Sequence, residues 1–153
     1  MPKRPYRRKP RRPGAKLIGL DLGERRIGVA ISDDTGVIAS PDRIIDLRHG
    51  SLRDIAALVV DVNATGIVVG LPKGMLGDEG HQARAARDQA AELEQLVTTP
   101  IIFWDERLTS AIADRALEQS GMRSRERRDK RDAIAAAIML QSYLDANPLV
   151  SDE

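Results

Sequence analysis

Three apolar stretches of extended spacing come before any helical spacing in this chain. From then on strand-like and helix-like segments alternate, and that order restricts the fold to a mixed sheet covered by helices. Residues 17–22 form a short apolar run closed by Asp21 and Gly23; after a turn, residues 26–32 carry Ile27, Val29 and Ile31 at alternate positions, the period of a strand. Residues 37–47 predict a third strand bent at Pro41, and residues 51–62 a helix through Leu52, Ile55, Leu58 and Val59. Residues 66–71 repeat the buried-strand pattern ahead of a glycine-rich loop with Gly70, Gly74, Gly77 and Gly80 around Pro72. A helix is predicted over about residues 82–97, a fifth strand over 101–104 and a helix over 110–119 that stops at Gly121. Residues 122–131 read as a mobile basic loop or an early helical turn, and the last helix as about 132–146, with Pro148 after its end. The predicted fold class is α/β, a mixed five-stranded sheet with helices on both faces, and catalytic residues belong at the strand ends of such a sheet.

A chain of 153 residues with 42% hydrophobic content holds one substantial core. The expected organisation is a globular domain over residues 16–147, a disordered basic arm over 1–15 and a tail over 148–153. No run approaches the roughly 20 apolar residues of a membrane span, and the start is basic and proline-rich rather than signal-like, so a cytoplasmic protein without membrane contact is expected. With no cysteine, disulfides, thiolate zinc sites and a cysteine nucleophile are excluded, and any metal must sit on oxygen or imidazole.

The net charge of +1 conceals an uneven distribution. Lys3, Arg4, Arg7, Arg8, Lys9, Arg11, Arg12 and Lys16 put eight positive charges in the first sixteen residues, which leaves −7 for the remainder. A polyanion is the natural partner of such an arm; the plainer alternative is a solubilising tail.

Asp21 closes the first strand, Glu106 follows the last short strand, and Asp132 opens the predicted final helix. Taken singly, an Asp two residues before a Gly is commonly a turn former, and Glu106 could be an ordinary loop residue. Together, three acids at element boundaries can converge, and hard divalent ions such as Mg²⁺ or Mn²⁺ need several carboxylate oxygens to support phosphoryl displacement. Arg26 and Arg107 adjoin these acids and either hold a phosphate or simply pair with them. Arg123, Arg125, Arg127 and Arg128 lie in the basic stretch that could draw a nucleic acid toward an acidic globule. Trp104 and Tyr143 read as packing residues. His49 and His81 lack the partner spacing of a metal or nucleophile site.

The segments Leu20-Asp21-Leu22-Gly23, Arg26-Ile27-Gly28-Val29-Ala30 and Ser32-Asp33 resemble the opening motif of the YqgF/RuvX family. Val69-Gly70-Leu71-Pro72 with Gly77 and Gly80, then Asp105-Glu106-Arg107-Leu108-Thr109, then Asp132 with Ala135-Ala136 and Leu140-Gln141-Ser142-Tyr143-Leu144, are similar to its later blocks in the same order. The resemblance covers nearly all of residues 16–146. It implies a ribonuclease H-like fold with catalytic, metal-holding acids at Asp21, Glu106 and Asp132. Asp129 is the rival for the third role, and Asp132 is preferred because it directly precedes the alanine-rich apolar helix. Gly74 and Leu76 depart from the family's more polar loop, and the basic arm lies outside the family core.

The function the resemblance implies is trimming of the 5′ end of the 16S ribosomal RNA precursor, with pre-rRNA and ribosomal particles as the expected partners. Resolution of branched DNA (Holliday junctions) is the close alternative and predicts a homodimer, whereas RNA trimming is open to a monomer. A non-catalytic nucleic-acid-binding module is the alternative of another class. Phosphotransfer of the actin-like type is disfavoured, because the chain has one such half and no second phosphate loop.

Overall fold

The computed structural model describes residues 16–72, 79–106 and 124–148, with backbone alone for 124–129. In chain order the elements are β1 (Lys16–Leu22), β2 (Arg26–Ser32), β3 (Ala39–Asp46), α1 (Leu52–Val62), β4 (Ala64–Leu71), α2 (His81–Glu94), β5 (Ile101–Asp105) and α3 (Ser124–Ala146). The basic arm, the glycine-loop residues 73–78, the helix predicted over 110–119, Arg107 and Arg123 lie outside the described residues.

The strands form one five-stranded sheet in the order β3-β2-β1-β4-β5. β1 runs antiparallel to β2, and β2 to β3. β4 runs parallel to β1, and β5 to β4. β1 is therefore the middle strand, buried on both faces, and its alternation distributes side chains to two cores. Ile18 and Leu20 point to the face covered by α1 and α2, where they meet Ile55, Leu58 and Leu93. Leu17, with Ala30 and Val68, points to the other face, where α3 supplies Ala136, Met139, Leu140, Tyr143 and Leu144. The predicted mixed sheet with helices on both faces is the observed architecture.

Local chemistry accounts for the element ends. Ser51 caps α1: its hydroxyl accepts from the Arg53 amide while the Asp54 carboxylate accepts from the Ser51 amide, a reciprocal capping box. Asn63 ends the same helix in the left-handed conformation, with φ 54°. The bend expected at Pro41 is a β-bulge: Val29 pairs with Arg43 and Ala30 with Pro41, so Asp42 is the extra residue. An edge strand tolerates this, because proline's missing donor costs no ladder bond there.

Gly70, named both in the strand expected over 66–71 and in the loop after it, lies in β4, which ends at Leu71 as expected. One boundary differs from the sequence expectation in a way that matters for the site. The basic stretch is not a loop or a lone turn: α3 begins at Ser124, so Asp132 lies within the helix and not at its start. Arg, Lys and Glu are strong helix formers, and no Gly or Pro intervenes between Gly121 and Pro148 to stop the helix. Apolar spacing alone, absent from those first turns, conceals them.

Candidate active site

Asp21 follows Leu17 and Gly19 on the α3 face of β1. Its cross-strand partner is Gly28 of β2, which shares that face. A methyl group built on Gly28 would lie 1.9 Å from the Asp132 carbonyl, so α3 rests directly on the β2 backbone at this point. Gly19 plays the same part lower down, where a methyl would meet Leu140 at 2.8 Å. Glycine inside a strand marks such a close approach, and here it brings Asp132 down onto the sheet beside Asp21.

Glu106 arrives from the other side. Its amide donates to the Leu71 carbonyl at 3.1 Å, continuing the β4–β5 ladder past the last strand residue. Its carboxylate folds back over Gly70, where a methyl would lie 2.2 Å from Oε2 and 3.1 Å from Met139. β1 and β4 pair Leu20 with Val69, and one more step in that parallel register sets Asp21 beside Gly70. Asp21 thus shares a cleft with Asp132 of α3 and has Glu106, folded over Gly70, on its other side.

Their electrostatics record the crowding. Burial, and then the charge of Asp132, push the Asp21 carboxyl up to about 6, with Arg131 pulling the other way. Burial, followed by the charges of Asp21 and Asp105, pushes Glu106 up to about 8. Asp132 so disfavours ionisation of Asp21, and Asp21 that of Glu106, as in other paired-acid sites. Divalent cations would relieve that repulsion, and the donors are the hard oxygens such ions take. Among the described residues no three acid or histidine side chains stand as a group that could hold a metal ion. The hard-oxygen donors around Asp21 are of the kind that suits a divalent ion.

A cleft of about 230 Å³ opens at this point, lined by Asp21, Gly23, Glu24, Arg25, Arg26 and Asp132. Arg26 is exposed at its margin, where a phosphate could reach it. A larger hollow of about 370 Å³ between β3 and α1 contains none of the predicted site residues. Asp46 in its lining is held well below the usual carboxylate range by hydrogen bonds from Arg48, the opposite direction to Asp21 and Glu106.

Arg125, Arg127 and Arg128 fall on the first turns of α3, and Asp129 with them, but their side chains lie outside the described residues, as do Arg107 and Arg123 entirely. Trp104 packs edge-on against Tyr143 at 5.3 Å and donates to the Ser142 hydroxyl, the packing role expected of both rings. His81 is exposed and faces Glu24 across 3.8 Å. Sequence reasoning missed the enabling glycines Gly28 and Gly70; their one signal is isolated glycine inside strand patterns.

A family model described as RuvX, Holliday junction resolvase, matches residues 15–146. A proposed pre-16S rRNA nuclease of Roseiflexus sp. (strain RS-1) is 43% identical over 133 residues, covering 86% of this chain and 94% of the relative. Another, from Lactococcus lactis subsp. cremoris (strain SK11), is 39% identical over 139 residues, covering 88% and 97%. The fold is similar to that of T. thermophilus RuvC, solved in complex with a Holliday junction substrate, with a TM-score of 0.56, 10% identity and coverage of 88% and 98%. The fold is accordingly ribonuclease H-like.

Proposed function

The chain belongs to the RuvX family of Holliday junction resolvases, and from that premise we propose that it is a divalent-metal-dependent nuclease whose catalytic acids are Asp21, Glu106 and Asp132. The observation that supports the reading is that Asp132 of α3 and Glu106 at the end of β5 each lie near enough to Asp21 to act on its charge or feel it, over Gly28 and Gly70. The names of the relatives favour processing of the 16S rRNA precursor at its 5′ end. The family description and the junction-bound structural relative favour branched DNA as the second reading.

The reaction is hydrolysis of a phosphodiester: water adds to phosphorus and a P–O bond breaks in line with it. Mg²⁺ or Mn²⁺ held by the three acids would supply charge neutralisation at the scissile phosphate and acidify a water. The chain's own part is to hold the ligands. Asp21 is fixed in the middle strand, Asp132 on a helix seated on Gly28, and Glu106 at the end of a ladder bond to Leu71. Glu106, whose carboxyl burial pushes up to about 8, would have to give up a proton to hold an ion. Arg26, at the mouth of the cleft, is placed to orient a phosphate, and the basic arm with the Arg-rich start of α3 would attract the polyanion. RNA trimming requires one such site; junction resolution requires two in a symmetric dimer.

The test is cleavage of labelled precursor rRNA and of a four-way DNA junction by wild type and Asp21→Asn, with Mg²⁺ or Mn²⁺. Metal-dependent cutting that the variant loses is expected, and the substrate cut names the reaction. Equal cutting by both proteins would overturn the assignment of Asp21.

A further inference from the structure

We propose that Gln89 is a positioning residue for the acidic site: its side-chain amide holds the carbonyl of Gly23 and so fixes the β1–β2 turn that follows Asp21 and walls the cleft Asp21 enters. This rests on the nuclease reading above and assigns that site a support from the opposite face of the sheet.

The turn between β1 and β2 consists of Glu24 and Arg25, flanked by Gly23 and Arg26. Gly23 donates to the Arg26 carbonyl at 3.0 Å, and a methyl on Gly23 would lie 2.6 Å from that same oxygen. No side chain fits there, so the turn's sharpness depends on glycine. The Arg25 carbonyl accepts from the Leu47 amide at 2.8 Å. The carbonyl of Gly23 accepts from Gln89 Nε2 at 3.0 Å. Gly23, Glu24, Arg25 and Arg26 all line the cleft that Asp21 and Asp132 enter, so a shift of this turn moves the cleft wall and the end of β1 together.

The character of position 89 shows that packing alone does not explain it. α2 buries Ala83, Ala86, Ala90 and Leu93, and Gln89 stands one helical step from both Ala86 and Leu93, at the edge of that apolar face. An aliphatic residue would continue the face. The amide there has its Oε1 shielded from solvent and without a hydrogen-bond partner among the described residues. A half-satisfied buried amide costs stability, and what it secures in return is the one bond to Gly23. α2 itself is well placed to transmit rigidity: Arg87 lies over the Phe103 ring at 4.7 Å and pairs with Glu79 at 2.7 Å, tying the helix to β5 near Glu106.

The experiment uses the full chain with Gln89→Leu and Gln89→Glu beside wild type. Three quantities are read: amide exchange of the β1–β2 turn without metal, Mn²⁺ affinity by calorimetry, and kcat and KM on the nucleic acid that wild type cuts. Removing a support behind metal ligands weakens affinity or turnover by roughly 10-fold or more. Gln89→Leu should therefore bind Mn²⁺ about tenfold more weakly and lower kcat by a similar factor with KM little changed. Exchange should rise in the turn alone, and the melting temperature should hold or increase, because the orphaned oxygen is gone. Gln89→Glu, which cannot donate when ionised, should show the same losses. The proposal is overturned if either variant keeps wild-type exchange in the turn and wild-type Mn²⁺ affinity. It is equally overturned if Gln89→Leu lowers the melting temperature and speeds exchange throughout the protein, the signature of general packing. Should wild type cut neither nucleic acid, the nuclease reading fails, while exchange in the turn still decides the clamp.

Discussion

Asp21→Asn, measured without divalent ions, should make the protein more stable while it removes cleavage. The folded protein holds the Asp21 carboxyl at about 6 against an ordinary 3.8, so ionising it costs the folded state more than the unfolded one. A gap of about two pH units corresponds to roughly 3 kcal/mol. Solvent reaching the half-buried carboxylate screens part of that, leaving about 1–2 kcal/mol. Because the folded value is raised, the penalty is absent below the unfolded value and grows as pH rises toward about 6. Wild type should therefore lose stability between about pH 4 and pH 7, and the variant, with no charge to bury, should lose less. At neutral pH the variant should melt roughly 2–8 °C higher, and near pH 4 the two should coincide. Excess Mg²⁺ should invert the order: at about a hundredfold over its Kd a bound ion adds roughly 2.7 kcal/mol to wild type, and little to the variant. Thermal melts with chelator and with Mg²⁺ at the two pH values supply every number. A variant no more stable than wild type at neutral pH without metal, or one stabilised equally at both pH values, would refute the claim that buried repulsion strains this site.

Glu106, raised to about 8, should make Mn²⁺ affinity climb with pH through that value, with about one proton released per ion below it. Calorimetry in buffers of different ionisation heat detects this, and Glu106→Gln should abolish that pH dependence. Gly28→Ala places a methyl 1.9 Å from the Asp132 carbonyl and should cost about 3 kcal/mol or more in denaturant unfolding, with cleavage lost as α3 lifts from the sheet. Deleting residues 1–15 should weaken substrate binding and reduce the log–log salt slope by roughly 0.9 for each phosphate that the arm neutralises on duplex DNA, while Mn²⁺ affinity stays as in wild type; an unchanged slope would rule out a binding role for the arm.

Periodicity by itself determined most of the framework. The runs ending at Asp21 and Trp104 and the alternation through Ile27, Val29 and Ile31 are strands, and the spacing of Leu52, Ile55, Leu58 and Val59 is a helix, because these signals are local and survive any tertiary arrangement. The ordered motifs, with Asp21, Glu106 and Asp132 among them, likewise lay in the sequence. Local signals do not reveal which residues meet. Only the packed sheet decided that β1 lies between β2 and β4, that Gly28 and Gly70 leave room for α3 and the Glu106 carboxylate, and that Gln89 reaches across to Gly23. The start of α3 escaped the sequence because its first turns are charged and carry no apolar stripe, and there helix propensity is the signal to read. The raised pKa values of Asp21 and Glu106 belong wholly to the tertiary structure, since burial and the nearness of like charges exist only once distant segments share one face of the sheet.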